Sequence, residues 1–265
     1  MPIAQTIPRV AVVTGGARRL GRAMAIALAE AGFDVAVHFF ASAAEAEETC
    51  AAIRGVGRRA VALRADLAVE ADTSTLLDRA GAALGPVGVL VNNASVFERD
   101  EWDSVTRKSW DAHMEPNLRA PLLLVQAFAR ALPEGAEGVV INMLDQRVWS
   151  ITPAFLSYTV SKVGLWALTQ SLSLALAPRI RVNAIGPGPA LPSARQTAED
   201  FARQTASVPL GRGPLPDEVP QALLAILALP SMTGQMIVLD GGQHLQWGPV
   251  GGAGGGPGGS RPVEE

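Results

Sequence analysis

The chain reads Val10-Ala11-Val12-Val13-Thr14-Gly15-Gly16-Ala17-Arg18-Arg19-Leu20-Gly21 close to its N-terminus. The valine-rich start predicts a short buried strand, and the Ala- and Leu-rich residues that follow predict a helix. A glycine-bearing turn between strand and helix lets backbone N–H groups and the helix N-terminus approach a phosphate group. An ordinary tight turn is the alternative explanation of the same glycines. On either interpretation, this stretch is the first βα unit of a larger sheet.

The alternation of short apolar runs and longer periodic segments continues along the chain. The predicted strands are 10–13, 34–39, 60–64, 87–92, 138–143, 180–183 and 236–239. The predicted helices are 20–31, 43–54, 70–84, 107–132, 155–177 and 217–229. Repeated βα units with right-handed crossovers predict an α/β fold. We expect a single Rossmann-like doubly wound domain, with a seven-stranded parallel sheet flanked by helices.

The predicted domain spans residues 1–247. Within it, segment 187–216 breaks the alternation and is rich in Pro, Ser and Gln. A long irregular segment at the C-terminal end of a strand is usually a lid or a binding loop, so this segment is the candidate substrate loop. Residues 248–265 are rich in Gly and Pro and are predicted to form a disordered tail without a catalytic role.

The composition excludes several classes of function. A net charge of −3 gives no electrostatic reason to expect nucleic acid or an anionic membrane as a partner. No apolar run is long enough to suggest a membrane span. Cys50 is the only cysteine, which excludes an internal disulfide and fits a reducing, cytoplasmic location. Cys50, His113 and His244 have no partners at ligand spacing, so we expect no metal site.

The end of the second predicted strand indicates which nucleotide cofactor suits such a fold. NAD-binding versions carry an acidic residue there that bonds the ribose hydroxyls. This chain reads His38-Phe39-Phe40-Ala41-Ser42, with no carboxylate before Glu45, and it has Arg18 in the turn after the first strand. A missing acid and a nearby cation favour the additional phosphate of NADP. The alternative for His38 is a strand residue bonded to the backbone.

Two other strand ends carry residues suited to ligand contact. Asp66 and Leu67 follow the third strand, where a carboxylate can accept the adenine amino group. The stretch Asn92-Asn93-Ala94-Ser95 ends the fourth strand, where small residues let the backbone pass close to a ligand. Each could also be only a strand-ending turn. Both lie at the carboxyl edge of the predicted sheet, where doubly wound folds bind ligands.

Asp145, Tyr158 and Lys162 form the candidate catalytic group. Tyr158 and Lys162 are four residues apart in predicted helix 155–177, so they share a helix face with about 5–6 Å between Cβ atoms. A nearby ammonium is expected to lower the pKa of the phenol, ordinarily about 10, which suits proton transfer near neutral pH. Asp145 lies thirteen residues before Tyr158, just after the fifth strand. The alternatives are a surface ion pair and a turn-capping aspartate.

Asn117 lies in the middle of predicted helix 107–132, where asparagine is a poor helix former. A functional cause would account for it, and we expect Asn117 to hold a water that passes protons to Lys162.

Ordered motifs over roughly residues 9–242 resemble the short-chain dehydrogenase/reductase superfamily. The matching motifs are Thr14-Gly15, Asn92-Asn93-Ala94, Asn117, Tyr158-x-x-x-Lys162, Arg181-Val182-Asn183, Pro187-Gly188 and Asp240-Gly241-Gly242. Most members of that superfamily carry a glycine where this chain has Arg19 and a serine where it has Asp145. Both replacements are similar to the pteridine reductase branch. In that branch an arginine often follows the His-x-x stretch, and this chain has Ala41 there.

The resemblance implies NADPH as cofactor and assigns roles to individual residues. The implied catalytic residues are Asn117, Asp145, Tyr158 and Lys162. The implied cofactor-binding residues are Gly15, Arg18, Arg19, Leu20, His38, Phe39, Ser42, Asp66, Leu67, Asn93, Ala94, Ser95, Met143, Tyr158, Lys162, Pro187 and Gly188. The implied substrate-binding residues are Arg19, Ser95, Phe97, Asp145 and Tyr158, with Phe97 stacked on a pterin ring. For Phe97 a core aromatic residue is the alternative.

The expected function is therefore NADPH-dependent reduction of a small-molecule pterin or folate. Reduction of C=N puts hydride on carbon and a proton on nitrogen, a step that Asp145 and Tyr158 could share. An ordinary carbonyl or alcohol oxidoreductase is the first alternative, and a non-catalytic NADP-binding sensor or scaffold is the second. The resemblance also implies a homotetramer built on helices 107–132 and 155–177.

Overall fold

A computed structural model describes residues 3–192 and 196–246 of the chain. Its core is one sheet of seven parallel strands in the order β3-β2-β1-β4-β5-β6-β7. The strands are β1 Val10–Val13, β2 Asp34–Phe39, β3 Ala60–Arg64, β4 Val89–Asn92, β5 Gly138–Met143, β6 Ile180–Pro187 and β7 Met236–Leu239. The strand order reverses direction between β1 and β4, where doubly wound folds open a crevice at the carboxyl ends. The predicted fold class is confirmed.

Helices cover both faces of this sheet. They are α1 Arg19–Glu30, α2 Ala43–Gly55, α3 Glu70–Leu84, α4 Arg107–Met114, α5 Ala120–Ala131, α6 Leu156–Ala175, α7 Ala198–Ala206 and α8 Glu218–Ala228. Buried side chains of α1, α2 and α8 form one hydrophobic cluster, and those of α3 and α5 form another on the opposite face. Helix α6 packs against β6 and α4. None of the described helices has the length and apolar character needed to cross a membrane.

Strand β1 shows how the sequence produces these two layers. Ala11 and Val13 belong to the cluster beneath α1, whereas Val10 and Val12 belong to the cluster beneath α3 and α5. Successive side chains of a strand point to opposite faces, so a strand covered on both sides must be apolar at every position. An unbroken run of valine and alanine therefore marks a central parallel strand.

The predicted helix 107–132 is not continuous, and this is a correction. A π-helical turn, Glu115–Arg119, separates α4 from α5 and carries Asn117. Pro116 lies in this turn and has no N–H to donate, so a regular α-helical hydrogen-bond ladder cannot run through it. π-Turns inside helices are frequent at functional sites.

The predicted irregular segment 187–216 also needs correction, because it contains α7. The Thr197 hydroxyl caps α7 by accepting the Asp200 N–H, and acidic residues occupy the first turn. None of the described α7 residues is buried. The helix is short and mostly polar, and the Pro-, Ser- and Gln-rich composition of the segment around it favoured a loop. Residues 193–195 of this segment and the predicted tail 248–265 lie outside the described residues.

Smaller differences concern two strand boundaries. Strand β4 begins at Val89, two residues after its predicted start, and at Gly88 an added Cβ would lie 2.2 Å from the Pro8 carbonyl oxygen. Strand β6 continues to Pro187, four residues past its predicted end, because β7 pairs with its second half.

Candidate active site

Asp145 and Tyr158 meet at the carboxyl edge of the sheet. Asp145 follows β5, and Tyr158 lies in the first turn of α6. The Tyr158 hydroxyl donates to Asp145 Oδ2 at 2.9 Å, and Asp145 Oδ1 accepts the Arg147 N–H, also at 2.9 Å. Tyr158 is only 6% exposed. Asp145 thus caps a turn, which was the alternative reading of the sequence, and also contacts the phenol.

Lys162 does not have the expected effect on the pKa of Tyr158. Its amine donates to the Met143 carbonyl oxygen at 2.8 Å, and burial lowers the pKa of Lys162 to about 8. Burial and, after it, the charge and hydrogen bond of Asp145 raise the pKa of Tyr158 well above its ordinary value. The expectation that this pKa is lowered is wrong, because burial raises it and the Lys162 ammonium is directed at a carbonyl group. Tyr158 therefore keeps its proton at neutral pH.

Asn117 anchors the segment that follows β4. Its Oδ1 accepts the Val96 N–H at 2.8 Å, and its Nδ2 donates to the Val96 carbonyl oxygen at 2.9 Å and to Ser161 Oγ at 3.2 Å. These bonds occupy the side-chain amide. The side chain thereby fixes the backbone beside Phe97, and the expectation that Asn117 holds a water for Lys162 stays a prediction.

A buried polar network next to Tyr158 was not predicted from the sequence. The Ser157 hydroxyl donates to the Asp100 carboxylate, and His113 Nδ1 lies 2.7 Å from Ser157 Oγ. His113 Nε2 accepts the Glu98 N–H at 3.0 Å, which places the ring proton on Nδ1. The network ties the segment after β4 to α4 and α6. Each member looks unremarkable in the sequence, because Ser157 lies 44 residues from His113 and 57 residues from Asp100.

Aromatic and cationic side chains surround the Asp145–Tyr158 pair. The rings of Phe97 and Phe155 stack with centroids 4.4 Å apart, and Phe97 meets Tyr158 edge-on at 4.6 Å. The guanidinium of Arg147 lies over both phenylalanine rings, 4.9 Å from that of Phe155 and 5.6 Å from that of Phe97. Phe155 therefore lines the site together with Phe97.

A cavity of about 440 Å³, here called the Asp145 cavity, opens onto these side chains. Its described lining residues are Arg19, Phe97, Arg99, Asp145, Gln146, Arg147, Phe155, Gly188, Pro189, Leu191, Gln196, Gln204 and Gln243. Gln146 is 5% exposed, and its Oε1 has no hydrogen-bond partner among the described residues. An unpaired buried acceptor costs free energy unless a ligand supplies a donor.

A second cavity, of about 420 Å³ and here called the Gly15 cavity, lies at the ends of β1, β2 and β4. Its described lining residues are Gly15, Ala17, Arg18, Arg19, Leu20, Gly21, His38, Phe39, Phe40, Ala41, Ser42, Asn93, Ala94 and Ser95. An added Cβ at Gly21 would lie 2.1 Å from the Gly15 carbonyl oxygen, so only glycine fits there. No side chain caps the first turn of α1, and no acidic residue lies in it. Its N–H groups are therefore available to an anion.

Arg19 lines both cavities and has an unusual backbone conformation. It has φ 54°, in the left-handed region that favours glycine, and Phe155 with φ 60° is the other described non-glycine residue in that region. Such strain is often found at functional sites. The Arg19 guanidinium donates to the carbonyl oxygens of Leu191 and Pro192, at 3.3 and 2.9 Å. It thereby joins the start of α1 to the candidate substrate loop.

His38 lines the Gly15 cavity and is hydrogen-bonded to the backbone. Its Nδ1 accepts the Gly15 N–H at 3.0 Å, and its Nε2 lies 3.1 Å from the Ala65 carbonyl oxygen. Burial lowers the pKa of His38 to about 4, so the ring is neutral at physiological pH. A neutral ring with both nitrogens bonded supplies no cation to a phosphate group. His38 instead fixes the glycine turn, which was the alternative interpretation.

We expect acid to destabilise the protein through His38. Its folded-state pKa, about 4, lies below the ordinary value of 6.5, so the unfolded chain binds the additional proton. The stability contributed by the neutral ring is complete above about pH 6.5 and is lost as the pH falls towards 4. The loss between pH 7 and pH 5 amounts to about 2 kcal/mol.

Urea unfolding at pH 7 and pH 5 tests this expectation in the wild type and in His38→Gln, whose amide can replace both hydrogen bonds. The variant should lose less stability than the wild type over this range. An equal loss in the two proteins would show that His38 does not titrate in this way.

The predicted cofactor residues other than Tyr158 and Lys162 divide into three groups. Those that line the Gly15 cavity are Gly15, Arg18, Arg19, Leu20, His38, Phe39, Ser42, Asn93, Ala94 and Ser95. Asp66, Leu67, Met143 and Pro187 are not among the described lining residues of either cavity, and Gly188 lines the Asp145 cavity. Arg18 is exposed and lies 3.7 Å from Glu45. Asn93 stabilises the glycine turn, because its side chain donates to the Thr14 and Gly15 carbonyl oxygens.

The family model of the short chain dehydrogenases matches residues 9–202. The chain belongs to the short-chain dehydrogenase family. A 2-dehydro-3-deoxy-D-gluconate 5-dehydrogenase from Escherichia coli strain K12 is 34% identical over 242 residues, which cover 88% of this chain and 94% of that relative. The predicted resemblance to short-chain dehydrogenases is confirmed, and the protein is an oxidoreductase of this family.

Solved short-chain dehydrogenase structures give a finer comparison. FolM alternative dihydrofolate reductase 1 from Brucella canis, complexed with NADP, is 45% identical, with a TM-score of 0.89 over 92% of this chain and 97% of that chain. A short chain dehydrogenase from Burkholderia cenocepacia J2315, in complex with NADP, is 32% identical, with a TM-score of 0.80 over 88% of this chain and 96% of that chain. These neighbours support the predicted pteridine reductase-like branch of the family.

Several residues of the Asp145 cavity were not predicted from the sequence, among them Arg99, Gln146 and Arg147. A signal was present for two of them, since Gln146 and Arg147 directly follow Asp145 at a strand end, where doubly wound folds place their ligands. Arg99 gave no such signal, because only the segment after β4 brings it to the cavity.

Proposed function

We propose that the protein is an NADPH-dependent reductase of a pterin or folate, and that it converts a dihydropterin into a tetrahydropterin. The hydrogen bond between the Tyr158 hydroxyl and Asp145 carries this proposal. A carboxyl group in place of the usual serine offers a nitrogen heterocycle a second proton-exchanging group beside the phenol. Reduction of C=N needs a proton on nitrogen, whereas a carbonyl substrate needs one on oxygen.

The Gly15 cavity fits a dinucleotide whose ribose carries a phosphate group. Gly15 and Gly21 leave room for close approach of the backbone, and the open N-terminus of α1 favours anions. None of the described residues that line this cavity carries a carboxylate, whereas Arg18 and Ser42 both line it. When bound, NADPH would supply the hydride. We assign the cofactor to this cavity and the substrate to the Asp145 cavity, with Arg19 lining both.

The chain's own groups would supply the proton. The raised pKa of Tyr158 keeps the phenol protonated at neutral pH, which suits a donor in the direction of reduction. Its hydrogen bond to Asp145 gives the proton a short route between the two groups. Lys162, bonded to the Met143 carbonyl oxygen, places a cation behind the phenol that can offset the charge left when the proton departs.

A carbonyl or alcohol oxidoreductase is the second candidate. It is supported by the 34% identity to the 2-dehydro-3-deoxy-D-gluconate 5-dehydrogenase, whose name describes oxidation at a sugar-acid carbon. On this alternative, Asp145 only replaces the usual serine as a partner of Tyr158.

An assay of NADPH oxidation separates these functions. The substrates are dihydrobiopterin, dihydrofolate, a quinonoid dihydropterin and a set of simple ketones and keto acids. Turnover of pterins is the expected result. Turnover of ketones without any pterin would overturn the proposal, and NADPH binding without turnover of any compound would favour a sensor or scaffold.

Arg18→Gln should shift cofactor preference towards NADH. Two arginines line the Gly15 cavity, and of these Arg19 is bonded to the substrate loop, so Arg18 is the better candidate for binding a phosphate group. A charge-assisted hydrogen bond to phosphate is among the stronger hydrogen bonds. The ratio of kcat/KM for NADPH to that for NADH should fall about 10- to 100-fold. Arg54→Gln, which removes an arginine of α2 paired with Glu47 outside this cavity, is the matched control. An unchanged ratio would exclude Arg18 from phosphate binding.

We also propose a cytoplasmic homotetramer, with residues 1–247 as the reductase unit. An apolar groove of about 480 Å³ between α5 and α6, lined by Leu118, Leu122, Gly164 and Leu168 among others, offers a face for subunit contact. Light scattering that gives the mass of one 27.6 kDa chain would contradict the assembly.

A further inference from the structure

The Asp145 cavity carries an excess of positive charge. Three arginines, Arg19, Arg99 and Arg147, line it, and Asp145 is the one carboxylate among its described lining residues. Asp145 is already bonded to the Tyr158 hydroxyl and to a backbone N–H. A cleft dominated by one sign of charge attracts ligands of the opposite sign.

Arg147 is the arginine of this set that lacks strong partners. Arg99 donates to Glu101 at 2.9 Å, and Arg19 donates to two carbonyl oxygens of the substrate loop. Arg147, by contrast, is half-buried, has no carboxylate within salt-bridge distance among the described residues, and makes a side-chain hydrogen bond only to Thr152 Oγ1, at 3.4 Å. Stacking on Phe155 and Phe97 orients its guanidinium while leaving most of its donors unused.

The cavity is also larger than a two-ring heterocycle requires. Its volume of about 440 Å³ lies in the range of sites for drug-sized ligands, about 300–1,000 Å³. A pterin held near Asp145 and Tyr158 would leave room for a substituent on its ring. A half-buried guanidinium without a counter-ion is costly, and a carboxylate matches its planar fork of donors.

We propose that the substrate carries a carboxylate on the substituent of its pterin ring, and that Arg147, assisted by Arg99, binds this carboxylate. The preferred substrates are then acidic dihydrofolate-like compounds, and uncharged dihydropterins are poorer ones. This inference rests on the proposed pterin reductase function and names the substrate class within it.

The test compares three substrates of graded charge with the full-length protein and NADPH. Dihydrobiopterin has an uncharged side chain, dihydropteroate has one benzoate, and dihydrofolate has two glutamyl carboxylates. We expect kcat/KM to be about 10- to 100-fold higher for the better of the two acidic substrates than for dihydrobiopterin. This advantage should shrink as ionic strength rises from about 0.01 to 1 M, because the Debye length falls from about 30 to 3 Å.

Substitutions at two arginines locate the effect. Arg147→Gln should reduce the ratio of kcat/KM for the acid to that for dihydrobiopterin about 10-fold or more, and Arg147→Lys should restore part of it. Arg99→Gln, at an exposed side chain, should reduce the ratio less and does not threaten folding. Arg107→Gln is the matched control, since Arg107 pairs with Asp111 on the surface of α4.

The outcomes separate this inference from the proposed function. Equal kcat/KM values for neutral and acidic pterins, or equal losses for both in Arg147→Gln, would overturn the inference and leave pterin reduction intact. Failure of every pterin to oxidise NADPH would overturn the proposed function itself.

Discussion

Tyr158→Phe is expected to lower kcat for pterin reduction about 100- to 10,000-fold, the usual contribution of a positioned proton donor. The substitution removes only the hydroxyl, which donates to Asp145 at 2.9 Å. The ring and its edge-on contact with Phe97 remain, so the cavity keeps its shape. Because the hydroxyl acts in the chemical step, NADPH affinity should change little. Stopped-flow single-turnover kinetics and fluorescence titration of NADPH measure the two quantities.

Thr159→Val is the matched control for this experiment. Thr159 is the next residue of α6, is 5% exposed, and has a hydroxyl without a hydrogen-bond partner among the described residues. Removing that hydroxyl should leave kcat and stability nearly unchanged. A Tyr158→Phe enzyme that retains more than about a tenth of wild-type kcat would show that another group delivers the proton.

Asp145→Ser is expected to lower kcat/KM for a dihydropterin about 100-fold or more, and far more than any activity towards carbonyl compounds. Serine can still cap the turn to Arg147 and accept from Tyr158, so the fold around β5 should be maintained. It cannot act as a carboxylic acid for a ring nitrogen. Steady-state kinetics with a dihydropterin and with any ketone substrate measure the difference.

Asp145→Asn shows whether the size of the side chain at this position or its ability to exchange a proton is needed for pterin reduction. Asparagine retains the size of the side chain and an oxygen for the Arg147 N–H, yet has no ionisable proton. If either Asp145 variant reduces pterins as fast as the wild type, Asp145 has no acid role. The proton would then reach the pterin from Tyr158 without the help of Asp145.

The strands could be predicted closely because their signals are local. The runs that became β1, β2, β3, β5 and β7 have the predicted limits, since each is an apolar segment bounded by turn residues. The helices were harder. The π-turn at Glu115–Arg119 is an irregularity of the helical hydrogen-bond ladder, and periodicity does not reveal it. Helix α7 is short and mostly polar, and it lies in a segment whose Pro, Ser and Gln content favours a loop.

The candidate site was predicted in part. The spacing of Asp145, Tyr158 and Lys162 indicated their proximity, and the structure places the Tyr158 hydroxyl within hydrogen-bond distance of Asp145 and the Lys162 amine on the Met143 carbonyl oxygen. Spacing could not reveal the direction of the Tyr158 pKa shift. Burial sets that direction, and burial depends on residues from several strands and helices.

The sequence by itself determined the order of βα units, the glycine turn after β1 and the family of the chain, because periodicity, turn chemistry and motif spacing act over short stretches. Only the tertiary structure decided that His38 is neutral and bonded to the glycine turn, that Asn117 holds Val96, and that Arg147 faces the cavity without a carboxylate partner among the described residues. Charge state and hydrogen-bond partners depend on desolvation and on groups distant in the chain. The same residues in another fold would have other partners and another chemistry.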